Sequence, residues 1–336
     1  MTNSRFDVLG IGNAIVDILA RTDDAFLVGE NLVKGSMRLI DTEEAERLYA
    51  HMGPAIEISG GSAGNTIAGV ASLGGDGAYI GKVADDHLGE IFAHDIRATG
   101  VHFETAPLVG ADPTARSMIL VTPDGERTMN TYLGACQRLS PEDIDADLVS
   151  AASITYLEGY LWDPPLAKEA FRRAADIAHQ AGRQVALTLS DSFCVDRFRD
   201  EFLGLIRTGA VDIVFANETE LHALYQTADF DTALAALRDD CRLAAVTLGE
   251  KGSLAMTRAE THHVNAYPVD SVVDLTGAGD LYASGFLLGL ARGADLETCA
   301  RLGGLAASEV IGHIGARPEV SLGELAAQSG LAVAEI

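Results

Sequence analysis

Asp274-Leu275-Thr276-Gly277-Ala278-Gly279-Asp280 runs directly into Leu281-Tyr282-Ala283-Ser284-Gly285-Phe286-Leu287-Leu288-Gly289-Leu290. The first half is small and flexible; the second is apolar, with small residues at helical spacing. The stretch predicts a loop that turns into a buried helix, taken here as about residues 281–291. Gly277, Ala278 and Gly279 have almost no side chain, so their backbone N–H groups are free to converge on one point. That point lies at the positive end of the helix macrodipole, a ready site for an oxyanion. An acid there, Asp280, is out of place if the loop only holds an anion. One reading is an N-cap, a role Asp fills well. The reading that accounts for acid and glycines together has Asp280 taking a proton from a hydroxyl, while the loop amides stabilise charge on a transferred phosphoryl group.

Composition limits what surrounds this site. The chain has 336 residues, 48% hydrophobic and 22% charged, enough for a large core. Asp and Glu number 49 against 24 Lys and Arg, a formal charge of −25. Nucleic acid and anionic membranes are therefore poor partners for the surface as a whole. Cys136, Cys194, Cys241 and Cys299 are far apart and form no C-x-x-C, so free thiols in a reducing cytoplasm are expected. Met1–Asp7 has no apolar segment of the signal-peptide kind, and no apolar run is long enough to span a bilayer. There is no low-complexity linker and no repeat, so a single domain over 1–336 is expected.

Phe6–Gly12 reads as a buried first strand ending in glycines. A dinucleotide fingerprint would need a third glycine where Ile15 stands. Asn13 and Asp17 interrupt an otherwise apolar stretch. A carboxylate just past a strand end suits vicinal hydroxyls, since it accepts from two at once; a turn or cap role is the alternative for both residues. Gly60-Gly61-Ser62-Ala63-Gly64-Asn65 is a second glycine loop leading into an apolar helix, with Asn65 offering a donor and an acceptor to a diol. Ala115–Thr122 and Glu126–Leu133 flank Pro123-Asp124-Gly125, a hairpin signal. With parts of 13–42, the region 103–135 is expected to form a small β lid that excludes water. Arg127 lies on this hairpin, either solvated or in contact with phosphate when the lid closes. Asp85 and Asp86 read as turn and cap residues.

From Leu148 onward, strand-like and helix-like segments alternate, which argues for a mostly parallel, doubly wound α/β sheet with ligands beyond the C-terminal strand ends. Polar sets at such ends are Ser190-Asp191, Asn217-Glu218-Thr219-Glu220 and Thr247-Leu248-Gly249-Glu250-Lys251-Gly252. Glu220 suits Mg²⁺ acting through water, because that ion keeps much of its hydration. The third set also reads as an ordinary glycine-rich hairpin turn.

Together these stretches resemble the ribokinase-like (PfkB) carbohydrate kinase family over about residues 5–320. The Asp274–Asp280 stretch resembles its signature D-[ST]-x-G-A-G-D, with Leu275 where a small hydroxyl residue is usual. Gly60, Gly61 and Asn65 match its G-G-x-x-x-N, and Asn217 and Glu220 its N-x-x-E. The resemblance implies a Rossmann-type fold with a lid and transfer of phosphate from ATP with Mg²⁺. In it Asp280 is the base, Gly277, Ala278 and Gly279 the anion hole, and Asn13, Asp17, Gly61 and Asn65 acceptor ligands. Thr247, Gly249, Gly252 and Asn217 fall on the nucleotide side. Some relatives hold a monovalent cation such as K⁺ at carbonyls of the 312–318 turn. Gly12–Asp17, Lys34–Met37, Asp124–Thr128 and Tyr132–Ala135 are more similar to the adenosine kinases of the family than to ribokinases. The expected acceptor is thus adenosine, with a ribose- or fructose-type sugar as the alternative. Met37 and Leu39 either cover the purine or pack the lid's own face. A monomer or a homodimer is compatible with the family.

Overall fold

Short β-branched and aliphatic runs that end in glycine or a capping residue become strands. The computed structural model describes residues 4–331. Nine strands make the larger sheet: β1 (Phe6–Ile11), β5 (Gly77–Ile80), β6 (His102–Phe103), β9 (Ala152–Glu158), β10 (Gln184–Thr188), β11 (Ile213–Asn217), β12 (Leu243–Thr247), β13 (Ser253–Thr257) and β14 (Thr261–Val264). Their order is β14-β13-β12-β11-β10-β9-β1-β5-β6. All pairings from β12 to β6 are parallel, and the β12–β13 and β13–β14 pairs are antiparallel. This is the α/β, mostly parallel, doubly wound sheet expected from the sequence.

Helices cover both faces because side chains alternate along each strand. On β10, Val185 and Leu187 join a core with Trp162 and Phe171, while Ala186 joins the opposite core with Tyr79 and Phe286. The chain leaves β1 toward β5 on one side and β9 toward β10 on the other. The crevice between β1 and β9 is thus the point where winding reverses, which is where open α/β sheets bind ligands.

Five strands make the second sheet, in the order β3-β8-β7-β2-β4: β2 (Ile15–Arg21), β3 (Met37–Leu39), β4 (Ala55–Gly60), β7 (Ala115–Val121) and β8 (Arg127–Tyr132). Val16, Ile18, Met118 and Leu120 bury one of its faces in the core. Asp17, Ser117, Ile119 and Met129 alternate onto the other, toward the crevice. Two boundaries differ from the sequence reading. Ala55–Gly60 belongs to this sheet as a partner of β2, and His102–Phe103 pairs with β5 in the larger one. The alternation of Ile56 and Ile58 was readable, but the run is short and merges into the glycines of the next loop.

The helix after the opening motif spans Ala278–Ala291, three residues earlier than expected. It packs tightly on the helix Leu296–Val310. A Cβ on Gly285 would lie 2.5 Å from the carbonyl carbon and oxygen of Leu302. Backbone cannot yield there as a flexible side chain would. Gly285→Ala should therefore cost about 1–3 kcal/mol, as overpacking does. Chemical denaturation reads this, and an unchanged midpoint would show that the two helices separate without strain.

Candidate active site

The winding reversal brings the two glycine loops to one place. Gly277 is the N-cap of the helix Ala278–Ala291, at φ 80°, and a Cβ there would lie 2.7 Å from the Ala316 methyl. Both facts require glycine. Asp274 braces the loop. Its carboxylate accepts from Thr276 N at 3.0 Å and from Gly315 N at 3.0 Å, and pairs with Arg127 Nη2 at 2.8 Å. Ala278 N–H donates to the Leu275 carbonyl at 3.2 Å. In this conformation it is a turn amide, which departs from the expected convergence of three free N–H groups.

Asp280 is the third residue of the helix. Its Oδ1 accepts from Ser62 Oγ at 2.6 Å and its Oδ2 from Asn65 Nδ2 at 3.0 Å. Burial pushes the carboxyl above the ordinary range; Ser62, Asn65 and the charge of Arg317 pull it back. Asn65 thus meets the acid, not open space, and its Oδ1 is buried without a hydrogen-bond partner among the described residues. Ser62 was missed, although it stands inside the quoted loop. A small hydroxyl residue between glycines carries no signal of its own until the fold sets it against a carboxylate.

Asp17 lies past the end of β1, as expected, and inside β2 of the five-stranded sheet. Its carboxylate presses against Gly60, where a Cβ would be 2.3 Å from Oδ2, so that position must be glycine. Burial raises Asp17 to about 7, against the opposing charges of Arg317 and Arg127, while the Asp280 charge raises it further.

Asn13 has a protein partner. It is buried, and its Nδ2 donates to Glu158 Oε1 at 2.7 Å. Glu158, at the end of β9, also accepts from Ala63 N at 2.8 Å and Asn13 N at 3.3 Å. It therefore ties the strand β1 exit to the start of the helix Ser62–Ser72. No local signal marks it, because a Glu ending a buried strand is distinguished only by where the strand lies in the sheet. Gly61 is set by the same packing: φ is 84°, and a Cβ would lie 2.1 Å from the Asn13 carbonyl oxygen.

Two cavities meet here. One, of about 560 Å³, lies between the sheets and is lined by Asp17, Gly61, Asn65, Met129 and Asp280. The other, of about 610 Å³, runs along Gly249, Gly252, Ala278 and Tyr267. Thr247, Leu275, Gly279 and Tyr282 belong to both walls. Gly252, at φ 90°, would place a Cβ 2.0 Å from the Val264 carbonyl oxygen, so the turn before β13 holds the second cavity's edge.

Asn217 and Glu220 line the first cavity, not the second. They form a reciprocal cap on the helix Glu218–Tyr225, with Asn217 Nδ2 donating to Glu220 Oε1 at 2.6 Å and Glu220 N donating to Asn217 Oδ1 at 2.9 Å. Burial raises Glu220 to about 7. Arg127, on β8, faces Asp274, and its Nε and Nη2 lack hydrogen-bond geometry to any described partner. Met37 and Leu39 pair in register with Met129 and Thr131, which line the first cavity. They lie just outside it, 52% and 59% exposed. Asp86 caps the helix His87–Ala98, as expected. Among the described residues no group of three or more His, Cys, Asp or Glu could hold a metal ion, and no helix is long and apolar enough to cross a membrane.

An acid on a helix N-terminus where two cavities meet is the arrangement of a phosphotransferase acting on an alcohol. The pfkB family carbohydrate kinase profile matches residues 31–321, and the chain belongs to that family. Among solved structures it is similar to an adenosine kinase from Sinorhizobium meliloti, 63% identical with a TM-score of 0.90, covering 97% of this chain and 100% of that one. A probable sugar kinase from Rhizobium etli is 60% identical with a TM-score of 0.91, covering 98% of this chain and 99% of the other. An ATP-dependent ribose-1-phosphate kinase from Halopiger xanaduensis is 30% identical over 266 residues, 77% of this chain and 82% of its own length.

Glu158 links this geometry to stability. Burial raises its carboxyl to about 7 from an unperturbed 4.5. Between those values the folded protein keeps a proton that the unfolded chain releases, so stability falls as pH rises through that window. Glu158→Gln removes the contribution. The stability advantage of the wild type over this variant should shrink by on the order of 2 kcal/mol between about pH 5 and about pH 8. Denaturant titrations at both values check this, and an advantage that is constant or grows with pH would contradict it.

Proposed function

We propose that the protein transfers the γ-phosphoryl group of ATP to the 5′-hydroxyl of adenosine, giving AMP and ADP. The observation that carries this reading is the position of Asp280, at a helix N-terminus on the wall of the first cavity, directly after Gly279, which lines both. Adenosine occupies the first cavity and ATP the second, with the reacting phosphoryl group at Gly277–Gly279. Asp280 takes the 5′-hydroxyl proton as that oxygen bonds to the γ-phosphorus. The bond to the bridging oxygen breaks, and ADP leaves carrying the electron pair. Ionised Asp280 accepts up to four hydrogen bonds, so Ser62 and Asn65 leave room for the hydroxyl. The Asp17 carboxylate, which makes no hydrogen bond to the described residues, receives the ribose diol. Ile15, Ile119 and Met129 give the base an apolar wall.

Magnesium bound with ATP neutralises phosphate charge. Glu220 suits contact with it through water, since its carboxylate is on the cavity wall and already shared with Asn217. The five-stranded sheet acts as the lid, with Arg127 carrying positive charge from its edge to the anion-hole loop. The kinship with an adenosine kinase at 63% identity supports the acceptor. A sugar acceptor is the second reading, supported by the likeness to a probable sugar kinase at 60% identity.

Asp280→Asn should lower kcat by at least about a thousandfold and leave ATP affinity within a few-fold, because only the proton acceptor is lost. Steady-state kinetics and calorimetry read the two parts; a variant keeping more than roughly a tenth of the rate removes Asp280 from the base role.

Adenosine should exceed ribose and fructose in kcat/KM when the acceptors compete. Met129→Ala should narrow the gap by about tenfold, with ribose barely affected, since one buried apolar contact to the base is lost. Equal or higher kcat/KM for a free sugar would overturn the nucleoside assignment and leave the sugar-kinase reading.

A further inference from the structure

The turn that ends the catalytic region, Gly315-Ala316-Arg317, touches both glycine loops. Ala316 packs on Gly277, and Gly315 N donates to Asp274. Arg317 reaches the other way. Its Nη1 donates to the Gly64 carbonyl at 2.8 Å, its Nε and Nη2 to the Ser59 carbonyl at 3.1 and 2.8 Å, and Nη2 also meets Ser59 Oγ at 3.0 Å. One rigid fork thus grips both ends of the segment that carries Gly60, Gly61 and Ser62, one residue before Asn65. Those are the groups that hold Asp17 and Asp280.

The side chain is half-buried, and no carboxylate lies within ion-pair distance of it among the described residues. Its nearest compensation runs through Ser59, whose N and Oγ both donate to Asp95 Oδ2, at 2.8 and 2.6 Å. A guanidinium spent on carbonyls leaves its charge acting on whatever is near. Near it are Asp17 on β2, Tyr79 on β5, Asp95 on the helix His87–Ala98, and Asp280.

We propose that Arg317 is a positioning residue for phosphoryl transfer: its guanidinium clamps the 59–64 loop to the anion-hole turn and so fixes the segment whose Ser62 and Asn65 hold Asp280 beneath the acceptor. This rests on the reading of Asp280 as the base. The direction of its electrostatic action agrees, since Arg317 lowers both Asp17 and Asp280 against their burial. Other groups facing Asp280 are Glu158 and Tyr156 on β9 and Tyr160 after it; the ionised form of Glu158 opposes the ionisation of Asp280, so the guanidinium acts against a net acidic surround.

Two variants separate clamp from charge. Arg317→Met removes both; Arg317→Lys keeps the charge but not the fork that spans two carbonyls. For Arg317→Met, kcat at neutral pH should fall by roughly ten- to a hundredfold, with the KM for ATP within a few-fold. The acidic limb of its kcat/KM profile should move to higher pH by about one unit, because loss of a nearby positive charge raises a carboxyl pKa. Arg317→Lys should hold the limb in place while amide hydrogen exchange across 59–65 speeds up. If Arg317→Met does not fold, Arg317→Lys alone decides: wild-type exchange and wild-type kcat overturn the proposal. A folded Arg317→Met with an unmoved limb and wild-type kcat also overturns it. Failure of the base assignment is distinguishable, since it shows as activity in Asp280→Asn, whereas the clamp is read from exchange in the absence of substrate.

Discussion

A carboxylate enclosed between two loops and set on the first turn of a helix is the constraint on which the rest of the structure depends. Asp280 is held by Ser62 and Asn65 from a loop more than two hundred residues away in sequence. Enclosure alone favours the neutral form, which could not act as the base proposed here. The fold answers with hydrogen bonds to the charged form, a helix N-terminus and a nearby guanidinium. Each of these needs close backbone approach, and so the site is built on glycine: Gly60 against Asp17, Gly61 against Asn13, Gly277 against Ala316.

The larger sheet supplies the frame. Reversal of winding at β1 and β9 opens the crevice, and Glu158 at the end of β9 closes its floor by binding Asn13 and the start of the helix Ser62–Ser72. The second sheet turns one apolar face into the core and presents the other to the crevice. Arg127 and Asp274 join that sheet to the anion-hole loop across a short, enclosed ion pair. That pair is a link from packing to the chemistry proposed for the site.

Much of this was legible in the sequence, for physical reasons. Apolar runs ending in glycine and alternating with amphipathic segments defined the parallel sheet. The glycine loops were visible because backbone approach leaves no room for a Cβ. Less legible were residues whose role depends on which strand lies beside which. Glu158, Ser62 and Arg317 have unremarkable local contexts, and only the topology sets them against Asn13, Asp280 and Ser59. The link of Asn13 to Glu158 was not legible, because a polar residue after a strand faces ligand or core equally well until its neighbour is known.

The most direct test of the central claim is a crystal structure with adenosine, magnesium and a non-hydrolysable ATP analogue bound together. The account predicts the nucleoside 5′-oxygen within about 2.6–3.2 Å of the Asp280 carboxylate, the distance for proton transfer. It also predicts the ribose diol on Asp17 and the terminal phosphate at Gly277–Gly279. A nucleoside whose 5′-oxygen points away from Asp280, with the phosphate elsewhere than the helix N-terminus, would contradict it.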